Sequence, residues 1–218
     1  MFLTKLVVGP LEVNCYILGD EETKEALVID PGDEDDRILD LLKEKGFKLR
    51  YIINTHAHFD HVGVNQSLKD ATGAEIMIHK GDQDLLRVAG EQAFLYGLDV
   101  PPSEPDRFLK DRDEIEIGKI KLRVIHTPGH SEGGICLLGN GFIFTGDTIF
   151  AGSAGRTDFP GGNMGKLLKS IREKLATLDD NITVHPGHGP ATTIGFEKKN
   201  NPFFSTGSFG HEDVEALL

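Results

Sequence analysis

The segment "NTHAHFDH" (54–61) places three histidines and one aspartate within six positions, from His56 to His61. Neutral imidazole and carboxylate groups are the ligands that suit zinc, iron and manganese in proteins. A strand-like run, "LRYIINT", precedes the segment, and a helix-like run, "VGVNQSLKDATG", follows it. The spacing therefore predicts a metal site on a loop between a strand and a helix, with His56, His58, Asp60 and His61 as candidate ligands.

Three further segments share one character, a strand that ends in a glycine-containing turn carrying one ligand-type side chain. They are "TPGHS" with His130, "FTGDT" with Asp147 and "HPGHG" with His188. Glycine permits the sharp backbone path that lets a ligand project from the end of a strand. We expect these turns to converge with the first segment, which would bring five histidines and two aspartates together.

The elements that must position these turns come in two batches of strands, each followed by helices. Early strand-like runs include "FLTKLVV", "NCYILG" and "EALVID", and later hairpins are predicted to turn at Gly118 and around 139–141. Helical periodicity begins after Asp33 and again in "MGKLLKSIREKLATL". This order predicts an α/β fold in which two mixed sheets pack face to face with helices outside.

Composition limits the classes of function. The 218 residues fit one domain, 1–218, and the net charge of −12 makes broad attraction to nucleic acid or an anionic membrane unfavourable. The chain contains no 18-residue apolar run, and its first residues do not resemble a signal peptide, so a cytoplasmic location is expected. Cys15 and Cys136 lie in apolar strand-like runs, where reduced, buried thiols are the expected state.

The four ligand-bearing segments, in this order and spacing, resemble the metallo-β-lactamase superfamily, and in particular its small glyoxalase II-like (hydroxyacylglutathione hydrolase-like) branch. The resemblance extends from about Val7 to the "NPFF" near the end of the chain. It implies a four-layer αββα sandwich of two mixed β-sheets. It also implies two divalent metal ions, zinc in the first place, with iron or manganese as alternatives. The implied ligands are His56, His58 and His130 for one ion, Asp60, His61 and His188 for the second, and Asp147 shared by both.

This resemblance further implies hydrolysis by a metal-bound hydroxide, so no serine or cysteine nucleophile is required. Asp60 is assigned a second, catalytic role, in which it orients the hydroxide and accepts its proton after attack. The implied substrate is a small thioester such as S-lactoylglutathione, or another thiol-derived small molecule. The expected partner is thus a small molecule, with neither nucleic acid nor membrane involved.

Arg156 is the candidate substrate-binding residue. It lies nine positions after Asp147, where glyoxalase II has a lysine that binds the glutathione portion, and a guanidinium suits a carboxylate well. The alternative is a structural arginine that braces its own glycine-rich loop or pairs with Asp158. Asp158 stands where glyoxalase II has a tyrosine. Pro190 also departs from that enzyme, and its basic carboxy-terminal helical domain is missing, which puts glutathione affinity in question.

Two other functions remain open from the sequence. "GRTDF" also resembles persulfide dioxygenases, which hold one iron on two histidines and a carboxylate and oxidise glutathione persulfide. A metal-binding domain without turnover is a further alternative, although all seven ligand types are retained. The remaining histidines are not assigned as ligands: His79, His126, His185 and His211.

Overall fold

The computed structural model describes residues 1–205, which form two six-stranded sheets, a small hairpin and seven α-helices. The strands are β1 (Phe2–Val8), β2 (Val13–Gly19), β3 (Glu25–Ile29), β4 (Lys48–Ile53), β5 (Glu75–His79), β6 (Arg107–Leu109), β7 (Glu114–Ile117), β8 (Ile120–His126), β9 (Ile135–Leu138), β10 (Phe142–Gly146), β11 (Ile149–Phe150), β12 (Ser153–Ala154), β13 (Thr183–Pro186) and β14 (Thr192–Thr193). The helices are α1 (Asp35–Lys45), α2 (Phe59–Val62), α3 (Asn65–Thr72), α4 (Gln83–Arg87), α5 (Ala89–Leu95), α6 (Met164–Glu173) and α7 (Ile194–Asn200).

Both large sheets are mixed. The first has the order β1-β2-β3-β4-β5-β6, antiparallel up to β3 and parallel from β3 onward. The second has the order β14-β13-β10-β9-β8-β7, and its single parallel pair is β10 with β13. In both sheets the strands that precede the histidine and aspartate turns direct their carboxyl ends to one edge of the fold.

Alternation of side chains along the strands gives each sheet two buried faces. The inner faces meet in a core that contains Leu27 and Met77 from the first sheet and Leu137 and Phe144 from the second. The outer face of the first sheet is covered by α1 and α3, and that of the second by α6 and α7. This arrangement of helices, sheet, sheet and helices is the predicted four-layer αββα sandwich.

Helix α1 shows how sequence period produces this packing. Ile38 and Leu42, one helical turn apart, are buried against the first sheet, and acidic residues occupy the first turn. The helix ends at Gly46, whose φ of 67° lies in the left-handed region that glycine adopts without steric cost. The predicted hairpins at Gly118 and around 139–141 also form.

Some elements differ from the sequence-based prediction. The residue pattern of 81–111 predicts only helix and loop, but strand β6 lies there and pairs with β5 over three residues. The helix predicted over "MGKLLKSIREKLATL" ends at Glu173, and a 3₁₀ turn, Leu175–Thr177, follows it. Strands of two or three residues carry too short a pattern to be recognised by periodicity.

Cys15 and Cys136 are both buried, and neither forms a disulfide. They lie on the outer faces of different sheets, so the whole sandwich separates the two thiols. Burial raises the pKa of the Cys136 thiol to about 11, which keeps it protonated near neutral pH. Within residues 1–205, no helix is long and apolar enough to cross a bilayer.

Candidate metal centre

The turn after β4 carries the first four candidate ligands. His56 and His58 precede α2, while Asp60 and His61 lie in its first turn. The buried amide of Asn54 fixes this path by donating to the carbonyl oxygen of His61 at 2.9 Å. One short segment thus presents four side chains to a single site.

A first group consists of His56, His58 and His130, all buried, with ligand atoms within 4.8 Å of one another. The Nε2 atoms of His56 and His130 are 3.2 Å apart. The turn after β8 supplies His130, and the Nδ1 atom of that ring lies 2.7 Å from the carbonyl oxygen of Arg156, a hydrogen bond that fixes the ring orientation.

A second group consists of Asp60, His61 and His188, also within 4.8 Å of one another. The Nε2 atoms of His61 and His188 are 3.3 Å apart, and Asp60 Oδ2 lies 3.5 Å from His188 Nε2. The loop after β13 that carries His188 is held by the first sheet, because Asn14 donates to Pro186 O at 2.9 Å. Hydrogen bonds between the two sheets therefore place His188 beside Asp60 and His61.

Asp147, directly after β10, lies between the two groups. Its Oδ1 is 3.5 Å from His61 Nε2, and its Oδ2 is 3.6 Å from His130 Nε2. A Cβ atom at Gly187 would collide with this carboxylate, which explains why glycine precedes His188. The structure thus brings all seven side chains predicted as ligands together, with one carboxylate able to reach both groups.

The donor set fits divalent cations. His58 Nε2 and Asp147 Oδ1 are buried and have no hydrogen-bond partner among residues 1–205. Burial, supported by neighbouring histidines, lowers the pKa of His58 to about 3, and burial lowers that of His130 to about 4. Both rings are therefore neutral near pH 7, and a neutral imidazole has a free lone pair for a metal.

His61 has the opposite electrostatic environment. Burial alone would lower its pKa, but the carboxylates of Asp60, Asp147 and Asp30 outweigh burial and raise the pKa to about 10. In the metal-free chain a proton on His61 therefore balances the surrounding carboxylates. A bound cation would take over this role and displace the proton.

Asp30 is a site residue that the sequence analysis missed. It follows β3, and its carboxylate accepts hydrogen bonds from both the N–H and the hydroxyl of Thr55, each at 2.7 Å. Its Oδ2 is also 3.1 Å from His61 Nδ1, a close charge contact that helps to raise the pKa of His61. Asp30 thus holds both the turn and the ring of His61. The signal was a carboxylate directly after a buried strand, in "VIDPG".

Asp82 is a second residue that was missed. Its buried carboxylate accepts hydrogen bonds from Ala57 N at 3.1 Å, Ser131 Oγ at 2.7 Å and Gly133 N at 2.6 Å. Ala57 lies between His56 and His58, whereas Ser131 follows His130. One carboxylate therefore joins the two chain segments that supply the first group.

The unassigned histidines lie outside these groups. His79 ends β5, which runs parallel to β4, so it lies at the same edge of the sheet as the ligand turn after β4. Its ring stacks on that of His126, with centroids 3.9 Å apart. His126 Nε2 lies 2.9 Å from Glu132 O, and the half-buried His185 packs against Tyr16. His211 lies outside the described residues.

Arg156 lies at the edge of a cavity of about 620 Å³ that opens over both groups. Its guanidinium donates twice to Asp158, from Nε at 2.6 Å and from a terminal nitrogen at 2.5 Å, and lies 4.1 Å from the centroid of the Phe159 ring. The ion pair raises the pKa of Arg156. The guanidinium predicted to bind substrate is thus engaged within its own loop.

The sequence profile of the metallo-β-lactamase superfamily matches residues 8–188, and the chain belongs to this superfamily. Hydroxyacylglutathione hydrolase GloC of Haemophilus influenzae is 39% identical over 211 residues, which cover 92% of this chain and 97% of that protein. The crystal structure of the B3 metallo-β-lactamase BLEG-1 has a TM-score of 0.87 at 34% identity and covers 94% of this chain and 100% of its own. The crystal structure of TTHA1623 in a di-iron-bound form has a TM-score of 0.84 at 37% identity. The match covers 92% of this chain and 99% of that chain.

Proposed function

We propose that the chain is a metal-dependent hydrolase that cleaves a small thioester such as S-lactoylglutathione. The observation that carries the proposal is the pair of ligand groups that share Asp147 at the base of an open cavity. The similarity to GloC, whose name gives it hydroxyacylglutathione hydrolase activity, supports the choice of thioester.

The residues that would hold the two cations are those of the two groups, with Asp147 common to both. Five imidazoles and two carboxylates suit zinc, iron or manganese, and the similarity to a di-iron-bound structure supports a site for two ions. When bound, such ions lower the pKa of coordinated water and polarise a carbonyl oxygen.

Asp60 is the residue that we assign to proton handling. Although burial opposes it, the charges of His61 and His188 hold the pKa of Asp60 well below its usual range. Asp60 is therefore an ionised hydrogen-bond acceptor at the cavity, suited to hold and orient a proton of the attacking water.

Arg156 is the residue that we assign to an anionic part of the substrate at the edge of the cavity. Its pair with Asp158 is exposed on both sides, and exposed ion pairs contribute little stability, so a substrate carboxylate can compete for the same donors. Asp158 then limits the affinity for anionic substrates instead of preventing their binding.

The experiment combines metal analysis of the purified protein with three assays run side by side. These are cleavage of S-lactoylglutathione, oxygen uptake with glutathione persulfide, and hydrolysis of a β-lactam. We expect two metal ions per chain and thioester cleavage without oxygen uptake. One iron per chain with oxygen consumption would instead establish the persulfide dioxygenase, and β-lactam hydrolysis alone would also contradict the proposal.

A further inference from the structure

Three consecutive large apolar residues are exposed at the end of α5 and directly after it. Phe94, Leu95 and Tyr96 have 79%, 82% and 57% of their surface exposed. Contiguous exposed apolar surface of this kind usually marks a binding site. Leu95 and Tyr96 line the cavity over the candidate metal centre, whereas Phe94 does not.

Aromatic rings surround the candidate ligands on the other sides of this cavity. Phe159 meets the ring of His58 edge-on with centroids 5.6 Å apart, and Phe150 meets that of His188 at 6.0 Å. The ring of Tyr96 packs on that of Phe59, with centroids 5.0 Å apart. Phe59 lies between the candidate ligands His58 and Asp60 in the sequence. We call Leu95, Tyr96, Phe150 and Phe159 the apolar collar.

The cavity offers few polar groups apart from the candidate ligands. Among the described residues that line the cavity, the remaining polar groups are the side chains of Gln92, Ser153 and Arg156 and the hydroxyl of Tyr96. The guanidinium of Arg156 is paired with Asp158 and stacked on Phe159. A substrate group that reaches the reacting centre therefore passes through largely apolar walls.

We propose that the apolar collar is a subsite for an apolar group next to the scissile thioester bond, such as a chain of about six carbons or a phenyl ring. This inference rests on the proposed function and narrows its substrate class. The cavity volume of about 620 Å³ lies in the range of small-molecule sites and exceeds what a lactoyl group needs. Burying each added methylene against the collar strengthens binding roughly fourfold.

The test uses the metal-loaded full-length chain and two series of thioesters. The first series varies the acyl group (acetyl, butanoyl, hexanoyl or phenylacetyl) on a constant thiol, N-acetylcysteamine. The second series varies the thiol (ethanethiol or hexanethiol) and keeps a constant acetyl group. The two series distinguish an apolar acyl group from an apolar thiol. The variants are Leu95→Ala and, as a matched control from the same exposed patch, Phe94→Ala.

We expect kcat/KM to rise at least tenfold from the shortest to the longest member of one series. Leu95→Ala should reduce this ratio of kcat/KM values at least threefold, whereas Phe94→Ala should change it by less than twofold. A flat response in both series, or equal effects of the two variants, would overturn the subsite. Equal changes in oligomeric state for both variants would also overturn it, since the patch would then join two copies of the chain.

A binding measurement separates failure of the subsite from failure of the proposed function. Calorimetry compares the hexyl and methyl thioethers of N-acetylcysteamine, which cannot be hydrolysed, with the wild type and both variants. Tighter binding of the hexyl compound, weakened only by Leu95→Ala, supports the subsite even if every thioester is inert. Equal binding of the two compounds rejects the subsite even if S-lactoylglutathione is cleaved.

Discussion

The Nε2 atoms of His56 and His130 face each other at 3.2 Å, although 74 positions separate the two residues in the chain. Burial lowers the pKa of both rings below the ordinary value, so near pH 7 neither carries a proton that would make it cationic. Nδ1 of His130 donates to Arg156 O, and Nδ1 of His56 donates to the Thr55 hydroxyl, whose own proton goes to Asp30. Both Nε2 atoms therefore present lone pairs, an arrangement that costs energy unless a cation lies between them. The buried cage is therefore built for a ligand that accepts lone pairs.

Asp147→Ala tests whether one carboxylate serves both groups. One carboxylate oxygen of Asp147 lies near His61 and the other near His130. We therefore expect the variant to lose most metal from both groups and kcat/KM to fall by more than about a hundredfold. Metal analysis and thioester assays measure the two effects. Asp158→Ala serves as a control for metal content, and full metal occupancy with normal turnover in Asp147→Ala would contradict the shared role.

Asp82→Asn tests the connection between the two segments of the first group. Asparagine offers one acceptor oxygen where three donors converge, so at least one buried donor loses its partner. Metal affinity of the first group should fall roughly 10- to 100-fold, as for other residues that orient ligands, with the second group unchanged.

Competition titration of the metal-free protein with zinc measures both affinities of Asp82→Asn, and circular dichroism monitors the fold. The exposed neighbour Asp84, changed to Asn, is the matched control, because its side chain is almost fully exposed and pairs with Arg87. Equal weakening of the two groups, or no weakening of either, would refute the positioning role of Asp82.

Asp158→Ala and Arg156→Ala test the guanidinium at the cavity edge. Removing Asp158 frees both donor positions of Arg156, so KM for S-lactoylglutathione should fall about two- to fivefold. Arg156→Ala should raise KM by a factor equivalent to about 1 to 3 kcal/mol with metal content unchanged. A neutral thioester is the control substrate, and KM values that stay constant in both variants would return Arg156 to a purely structural role.

His79→Gln tests a pH effect outside the metal centre. Partial burial and the stacked ring of His126 lower the pKa of His79 to about 4, and its Nδ1 accepts a hydrogen bond from Gly81 N. Between pH 6.5 and about 4 the unfolded chain therefore binds a proton that the folded chain does not. Stability contributed by neutral His79 is lost as the pH falls through this window.

Urea unfolding of the metal-free protein at several values from pH 7 down to pH 4.5 measures this component. His79→Gln should show a shallower loss of stability toward low pH than the wild type. The exposed neighbour Lys80, changed to Gln, is the control and should retain the wild-type slope. If the unfolding free energy of His79→Gln changes with pH as steeply as that of the wild type, His79 takes up its proton equally in the folded and unfolded states.

The sequence predicted the layers and the seven candidate ligands because their signals are local. Strand and helix periods are visible over five to ten residues, and His56 to His61 form an uncommon run of metal-seeking side chains. Asp30 carries only a weak local signal, its position directly after a buried strand, and Asp82 carries none. Each is a single carboxylate whose role depends on residues brought near it by the fold, at sequence separations of 25 or more.

The outcome for Arg156 shows the same limit. Charge and position within the chain favoured a substrate contact, but the path of its loop decides whether the guanidinium meets a substrate or Asp158. The carbonyl oxygen of Arg156, which contacts the ring of His130, could not be assigned from residue type at all, since every residue has a carbonyl.

Anomalous diffraction from crystals of the purified protein, measured at the absorption edges of zinc, iron and manganese, tests the central claim most directly. We expect two peaks on opposite sides of the Asp147 carboxylate, one coordinated by His56, His58 and His130, the other by Asp60, His61 and His188, with metal–nitrogen distances of about 2.0 to 2.1 Å if zinc is bound. Crystals grown with added metal that show no peak at these seven side chains, with the imidazoles uncoordinated, would contradict the account.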